Sequence, residues 1–156
     1  MHDHRGFSLI ELMVVLAILA IVATMAAPSF TNMVKDNSLS SASNSLLGAL
    51  QIARSEAVTL RAAIKVCAAN TALTACDNST NWAQGVLIMR GSTLLRVVPS
   101  AKTGVSVTAS IQEVVYQGNG TTAAATITVS DDRGAASQRV IKVNAIGQAC
   151  SGSACS

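Results

Sequence analysis

The sequence predicts an α+β fold, one long N-terminal helix leading into a β-rich head, on three observations. Phe7 to Ala27 is an apolar run interrupted by a single acid, Glu11. Apolar residues then recur at spacings of three and four as far as Leu60. From Ala62 onward the period changes to two, with β-branched runs broken by Gly, Asn and Asp clusters. Periods of about 3.6 and 2 are the signatures of helix and strand.

The first element is the apolar run. A hydrocarbon core about 30 Å thick takes roughly 20 apolar residues as a helix, and Phe7 to Ala27 supplies that length. An acid inside such a segment costs on the order of 2.5 to 3.5 kcal/mol at the centre and less near an end. No base lies within the run to offset Glu11, and Arg5 sits beyond a Gly6–Phe7 junction that has the look of a processing site. The partner is therefore expected from another chain. Were the chain cut after Gly6, the new amino group of Phe7 would be a cation at the membrane edge, available to Glu11 of a neighbour. A plain secretory signal, with the small residues from Ala23 to Ala27 near its cleavage site, or a plain anchor helix is the alternative. Neither explains an acid directly after GFSLI.

The residues GFSLIELMVVLAILAIVA resemble the class III leader and N-terminal segment of type IV pilins and type II secretion pseudopilins. The resemblance implies cleavage between Gly6 and Phe7 by a prepilin peptidase, N-methylation of Phe7, and a role for Glu11 in aligning subunits as they polymerise. Pro28 matches the proline that bends the family's long helix. The leader MHDHRG departs from the pattern in carrying Asp3 beside Arg5, which weakens its basic character.

The second element continues the first. Leu39, Ala42, Leu46, Leu50, Ala53, Ala57 and Leu60 form one apolar stripe, and Asn44, Gln51, Ser55 and Thr59 take the opposite face. From Phe7 to about Arg61 the combined helix would be on the order of 80 Å long. Strands are expected at Ala63 to Cys67, Gly85 to Met89, Leu94 to Val98, Val105 to Ala109, Glu113 to Tyr116, Ala125 to Ser130 and Arg139 to Asn144. Turns fall at Gln117 to Gly120 and Asp131 to Gly134. Asn70 to Asn81 and the tail from Gly147 read as polar loops. The domain plan is thus a leader at 1–6, a membrane or filament-core helix at 7–27, its amphipathic continuation at 28–61, and a head at 62–156.

This second half is similar to the GspH/FimT branch of minor pilins and pseudopilins. ARSEAV at Ala53 to Val58, a strand ending at Cys67, Trp82 with Gly85, VVYQGNG at Val114 to Gly120 and RVIKVNAIGQ at Arg139 to Gln148 carry that likeness. It implies a head of two small antiparallel sheets packed on the helix. It also implies a protein of the bacterial inner membrane, single-pass with its head in the periplasm, whose partners are other pilin subunits, the prepilin peptidase, an assembly platform and lipid. A minor pilin or pseudopilin that assembles into, or primes, a type IV pilus or a type II secretion pseudopilus is the expected function.

Four cysteines, Cys67, Cys76, Cys150 and Cys155, follow the apolar run and suit an oxidising compartment. Three connectivities are open. Cys67 with Cys76 and Cys150 with Cys155 is favoured because it closes two short loops, each contributing roughly 2 to 3 kcal/mol. A four-cysteine zinc site is the rival, although neither pair has the C-x2-C spacing of a zinc knuckle.

Catalysis has little to stand on. Both histidines, His2 and His4, lie in the leader, so a processed chain would lack the commonest general base and metal ligand. No cofactor is expected. Asp131 and Asp132 read as turn residues, as do Asn78 and Asn119, which also match the glycosylation acceptor pattern. Arg54 and Glu56 are read as a solvated or intramolecular pair before a contact to another subunit. Trp82, the only tryptophan, is read as a packed indole with a bonded N–H before an interface anchor.

DNA uptake, known for some FimT-like members, is the alternative function. The net charge is only +3, its bases are dispersed, and no Lys or Arg follows Lys142, so nucleic acid is not the expected partner.

Overall fold

A computed structural model of the chain describes residues 8–99 and 101–152, with the helical backbone alone for residues 25–28. Helix α1 runs Leu9–Leu60, followed by strands β1 Ile64–Ala68, β2 Gly85–Arg90, β3 Thr93–Pro99, β4 Ser106–Ala109, β5 Glu113–Tyr116, β6 Ala125–Ser130, β7 Arg139–Val143 and β8 Ala149–Ser151. Two compact units divide the chain, one ending at Lys35 and one beginning at Asp36.

In the first unit the helix exposes Leu9, Ile10, Leu12, Met13, Val14, Val15, Leu16, Ile18, Leu19, Ile21 and Val22. Apolar residues on every face cannot be buried by a single neighbouring layer, so this half is built for an apolar surround. Its one polar side chain deep in the run, Thr24, satisfies itself by donating to Ile21 O at 2.7 Å.

In the second unit the helix buries Leu39, Leu46, Ala49, Leu50, Ala53 and Ala57, with Ser43 beside them. That is the expected stripe with three differences. Ala49 and Ser43 join it, Ala42 is only half-buried, and Leu60 at its end is 39% exposed because the chain leaves the helix there. The helix stops at a Schellman turn: Ala62 N donates to Ala57 O and Arg61 N to Val58 O, with Arg61 itself at φ 46 where glycine is usual. Gly118 closes over that turn, since a Cβ there would lie 2.7 Å from Arg61 C.

The head holds two four-stranded antiparallel sheets, ordered β3-β2-β1-β5 and β4-β6-β7-β8. Ile64, Val66, Val86, Ile88, Val114 and Tyr116 from the first, and Val107, Ile127, Val129, Ile141 and Val143 from the second, meet the helical stripe and Trp82 in one core. Alternation along β6, with Ala125, Ile127 and Val129 inward, is the period-two pattern made physical. The first sheet also buries part of its far face: Cys67, Ala69, Leu87 and Met89 lie under Leu73 and Cys76 of the following loop.

The seven expected strands are all present, with no end moved by more than one residue. An eighth is added. The stretch Ala149–Ser151, expected as polar tail, pairs with β7 through Lys142↔Cys150. A turn at Asn144 to Gln148 turns it back, with Gly147 at φ 78 and Asn144 N donating to Gln148 O.

Candidate assembly site

Two features could engage other molecules: the apolar half of α1 and the periphery of the head. The helix begins with Ser8 as cap. Glu11 N donates to Ser8 Oγ at 3.3 Å and Leu12 N to Ser8 O at 3.2 Å. Ser8 and Glu11 thus hold the spacing of a capping box, a signature that the assembly reading of Glu11 passed over. An acid in the first turn is favoured by the helix dipole. Among the described residues the Glu11 carboxylate meets no cation, so the helix end lowers its cost without neutralising it. The expected cut site at Gly6 and Phe7 lies outside the described residues. Pro28 falls within the helical span, and its side chain is likewise outside the description.

In the head, Cys67 and Cys76 form a disulfide with Cα atoms 5.6 Å apart, closing the Asn70 to Asn81 loop as expected. Inside that loop Asn70 Oδ1 accepts from Thr74 N at 2.9 Å and Ala75 N at 3.3 Å. Cys150 sits in β8, and its expected partner Cys155 lies outside the described residues.

Arg54 is half-buried and, among the described residues, engages backbone carbonyls of the head rather than Glu56. Its Nη2 donates to Ile146 O at 2.8 Å and its Nε to Gly120 O at 3.3 Å. One side chain of the helix therefore fastens the loop after β5 to the loop after β7. The two loops touch where Gly147 faces Gly120, and a Cβ on Gly147 would collide with Gly120 O. ARSEAV, VVYQGNG and NAIGQ, which carried the resemblance, meet at this clamp.

Arg133 makes a second tie. Its Nη2 lies 2.8 Å from Asp131 Oδ2 and 2.8 Å from Asp36 Oδ1, bracing the β6–β7 connection against the helix. Its hydrogen bonds to Asp131 and then Asp36 raise the guanidinium further above its ordinary pKa. Asp131 is thus a turn residue, as read, and also an anchor.

Trp82 is 1% exposed and belongs to the core. Its indole N–H, expected to be bonded, finds no acceptor among the described residues. Tyr116 is fully buried and its hydroxyl is likewise unpartnered there, so burial raises its pKa from 10.0 to about 12, with Arg54 acting in the opposite sense.

Between α1 and the β2–β3 pair lies a cleft of about 210 Å³ lined by Ser38, Ala42, Ser45, Trp82, Val98 and Pro99. It holds no acid–base pair. No cluster of three or more potential metal ligands occurs among the described residues.

Comparison with known proteins fits this architecture. Residues 1–27 match the model of the prokaryotic N-terminal methylation motif, and residues 42–147 match that of the type II transport protein GspH. The type IV minor pilin FimU of Pseudomonas aeruginosa is similar in structure, with a TM-score of 0.62 and 23% identity, over 73% of this chain and 87% of that one. The minor pseudopilin EpsH from the type 2 secretion system of Vibrio cholerae gives a TM-score of 0.55 at 9% identity, over 76% of this chain and 98% of that one. At such identities the likeness is one of fold. No curated protein sequence matches significantly. Because the GspH model covers more than half of the residues, from the head-packed end of the helix through β7 and including the Arg54 clamp, this chain belongs to the GspH family.

Proposed function

We propose that the chain is a structural minor pilin or pseudopilin, held by its N-terminal helix in the bacterial inner membrane and assembled from there into a type IV pilus or type II secretion pseudopilus. The observation that carries this reading is the bare apolar half of α1 with its lone acid, in a chain whose residues 1–27 match a methylation motif. Leader removal at Gly6 by a prepilin peptidase would free the Phe7 amine, and Glu11 of an adjoining subunit would pair with it.

Lipid and a bundle of helices are similarly apolar, so leaving one for the other gains little by hydrophobicity. Register must come from packing and from the ion pair. The head, with the disulfide-closed loop and the tail at its periphery, selects neighbours and docks on the assembly platform. Nothing in this role requires turnover, and we assign the chain no enzymatic activity.

Two measurements test the reading. Mass spectrometry of the native protein should find an N-terminus at Phe7, methylated; a chain still beginning at Met1 would sink the proposal. Glu11→Ala should insert in the membrane at the native level and enter filaments at a level reduced by at least about tenfold, the scale set by loss of one desolvated charge pair. Unchanged incorporation would refute the pairing.

A further inference from the structure

The outer edge of the first sheet is uncovered in an unusual way. Strand β3 is seven residues long and ends the order β3-β2-β1-β5. Every second residue of an edge strand turns its N–H and C=O away from its partner. Among the described residues no backbone hydrogen bond joins those groups to another segment. Such edges are ordinarily shortened, charged or covered. Here Leu94, Leu95 and Val97 stand exposed along it.

The register says which face each residue extends. Val97 is opposite Leu87, and Leu94 opposite Met89, so both continue the far face of the sheet that the disulfide loop covers only over Leu87 and Met89. Arg96 is opposite Ile88, on the helix-facing side, and a bulge between Ile88 and Met89 sets Leu95 out of step. Pro99 ends the usable edge, having no N–H. Arg96 and the bulge are devices that deter indiscriminate pairing. They do not account for three exposed apolar side chains.

Charge identifies what would fit. From Asn78 to Gln112 the chain contains Arg90, Arg96 and Lys102 and no acid. A second copy pairing through β3 would bring a second Arg96 to the same ladder, with Arg90 and Lys102 near its ends and no carboxylate from either strand to offset them. We infer that β3 receives an extended segment of a different polypeptide, one that alternates apolar side chains toward Leu94 and Val97 with a carboxylate opposite Arg96. Backbone pairing along residues 93–98 supplies the hold, and Arg96, which blocks self-pairing, selects the acidic strand.

The probe is a labelled peptide of about ten residues alternating valine with glutamate and threonine, long enough to span one strand. It is titrated by fluorescence anisotropy against the full chain in detergent. Binding should be at least about tenfold tighter than for the same residues in scrambled order, and amide exchange should slow within residues 93–98. Arg96→Glu should lose about tenfold toward this peptide and gain toward its lysine counterpart. Val97→Thr, which keeps the strand, should weaken both peptides by a smaller factor. Absence of binding, equal binding of the scrambled peptide, an Arg96→Glu chain that does not change its preference, or dimers of the native chain joined through β3 would each overturn the inference.

Discussion

The two halves of α1 obey one geometry and opposite rules of burial. Up to Lys35 the helix shows large apolar side chains on all sides, Phe30 and Met33 among them, while from Asp36 it hides a single stripe against two sheets. The second half finds its solvent-free surroundings within its own chain. The first half must find them elsewhere, in lipid or among other helices. The two halves should therefore respond differently to damage: on the proposed role, changes in the head are expected to cost stability and changes in the apolar half to cost assembly.

The strongest challenge to the head side of that contrast is Gly147→Ala. A Cβ at φ 78 is strained, and it would also strike Gly120 O across the junction of the two loops. Strain and overpacking together should cost roughly 3 kcal/mol, read as a lowered thermal midpoint of the head. Gly134→Ala, at φ 85 but in open space, supplies the control for strain alone.

Alkaline titration comes next. Tyr116 has its pKa raised by burial, so the folded state keeps a proton that the unfolded state has lost above pH 10. The stabilising effect is full below pH 10 and disappears between pH 10 and about 12. Over that window the head should lose roughly 2 to 3 kcal/mol. Since Tyr116 is the only tyrosine, tyrosinate absorbance reports it directly, and ionisation near pH 10 without unfolding would count against the buried hydroxyl.

Arg54→Met keeps much of the aliphatic stem and removes the donors to Gly120 O and Ile146 O. With the bond to Ile146 O exposed and the one to Gly120 O part-buried, a loss of roughly 1 to 2 kcal/mol is expected. At the other end of the scale stands Glu11→Ala. It should move the head's melting by less than about 0.5 kcal/mol, because additivity fails only between sites in contact, yet it should abolish most incorporation. A substantial drop in head stability would erase the distinction between the two halves.

How legible this was depended on the range of each interaction. The helix and seven strands were readable because periodicity is local. Strand β8 was not, because Ala149, Cys150 and Ser151 have little strand propensity of their own; the turn at Asn144 to Gln148 places them. The capping spacing of Ser8 and Glu11 is local and stood in the sequence, but the membrane argument treated Glu11 without it. Arg54 could not have been read as a clamp from the residues alone, since its acceptors are backbone carbonyls 66 and 92 positions away. The unpartnered Trp82 N–H was invisible for the same reason.

The Cys67–Cys76 bridge guards the far side of the first sheet. Its loop roofs Leu87 and Met89 with Leu73, so a loop lifted away would leave a greasy window there. Backbone bonds from Asn70 N to Ala75 O and from Asp77 N to Ala68 O hold the same loop, so the bridge acts as a rivet on a roof that is already seated.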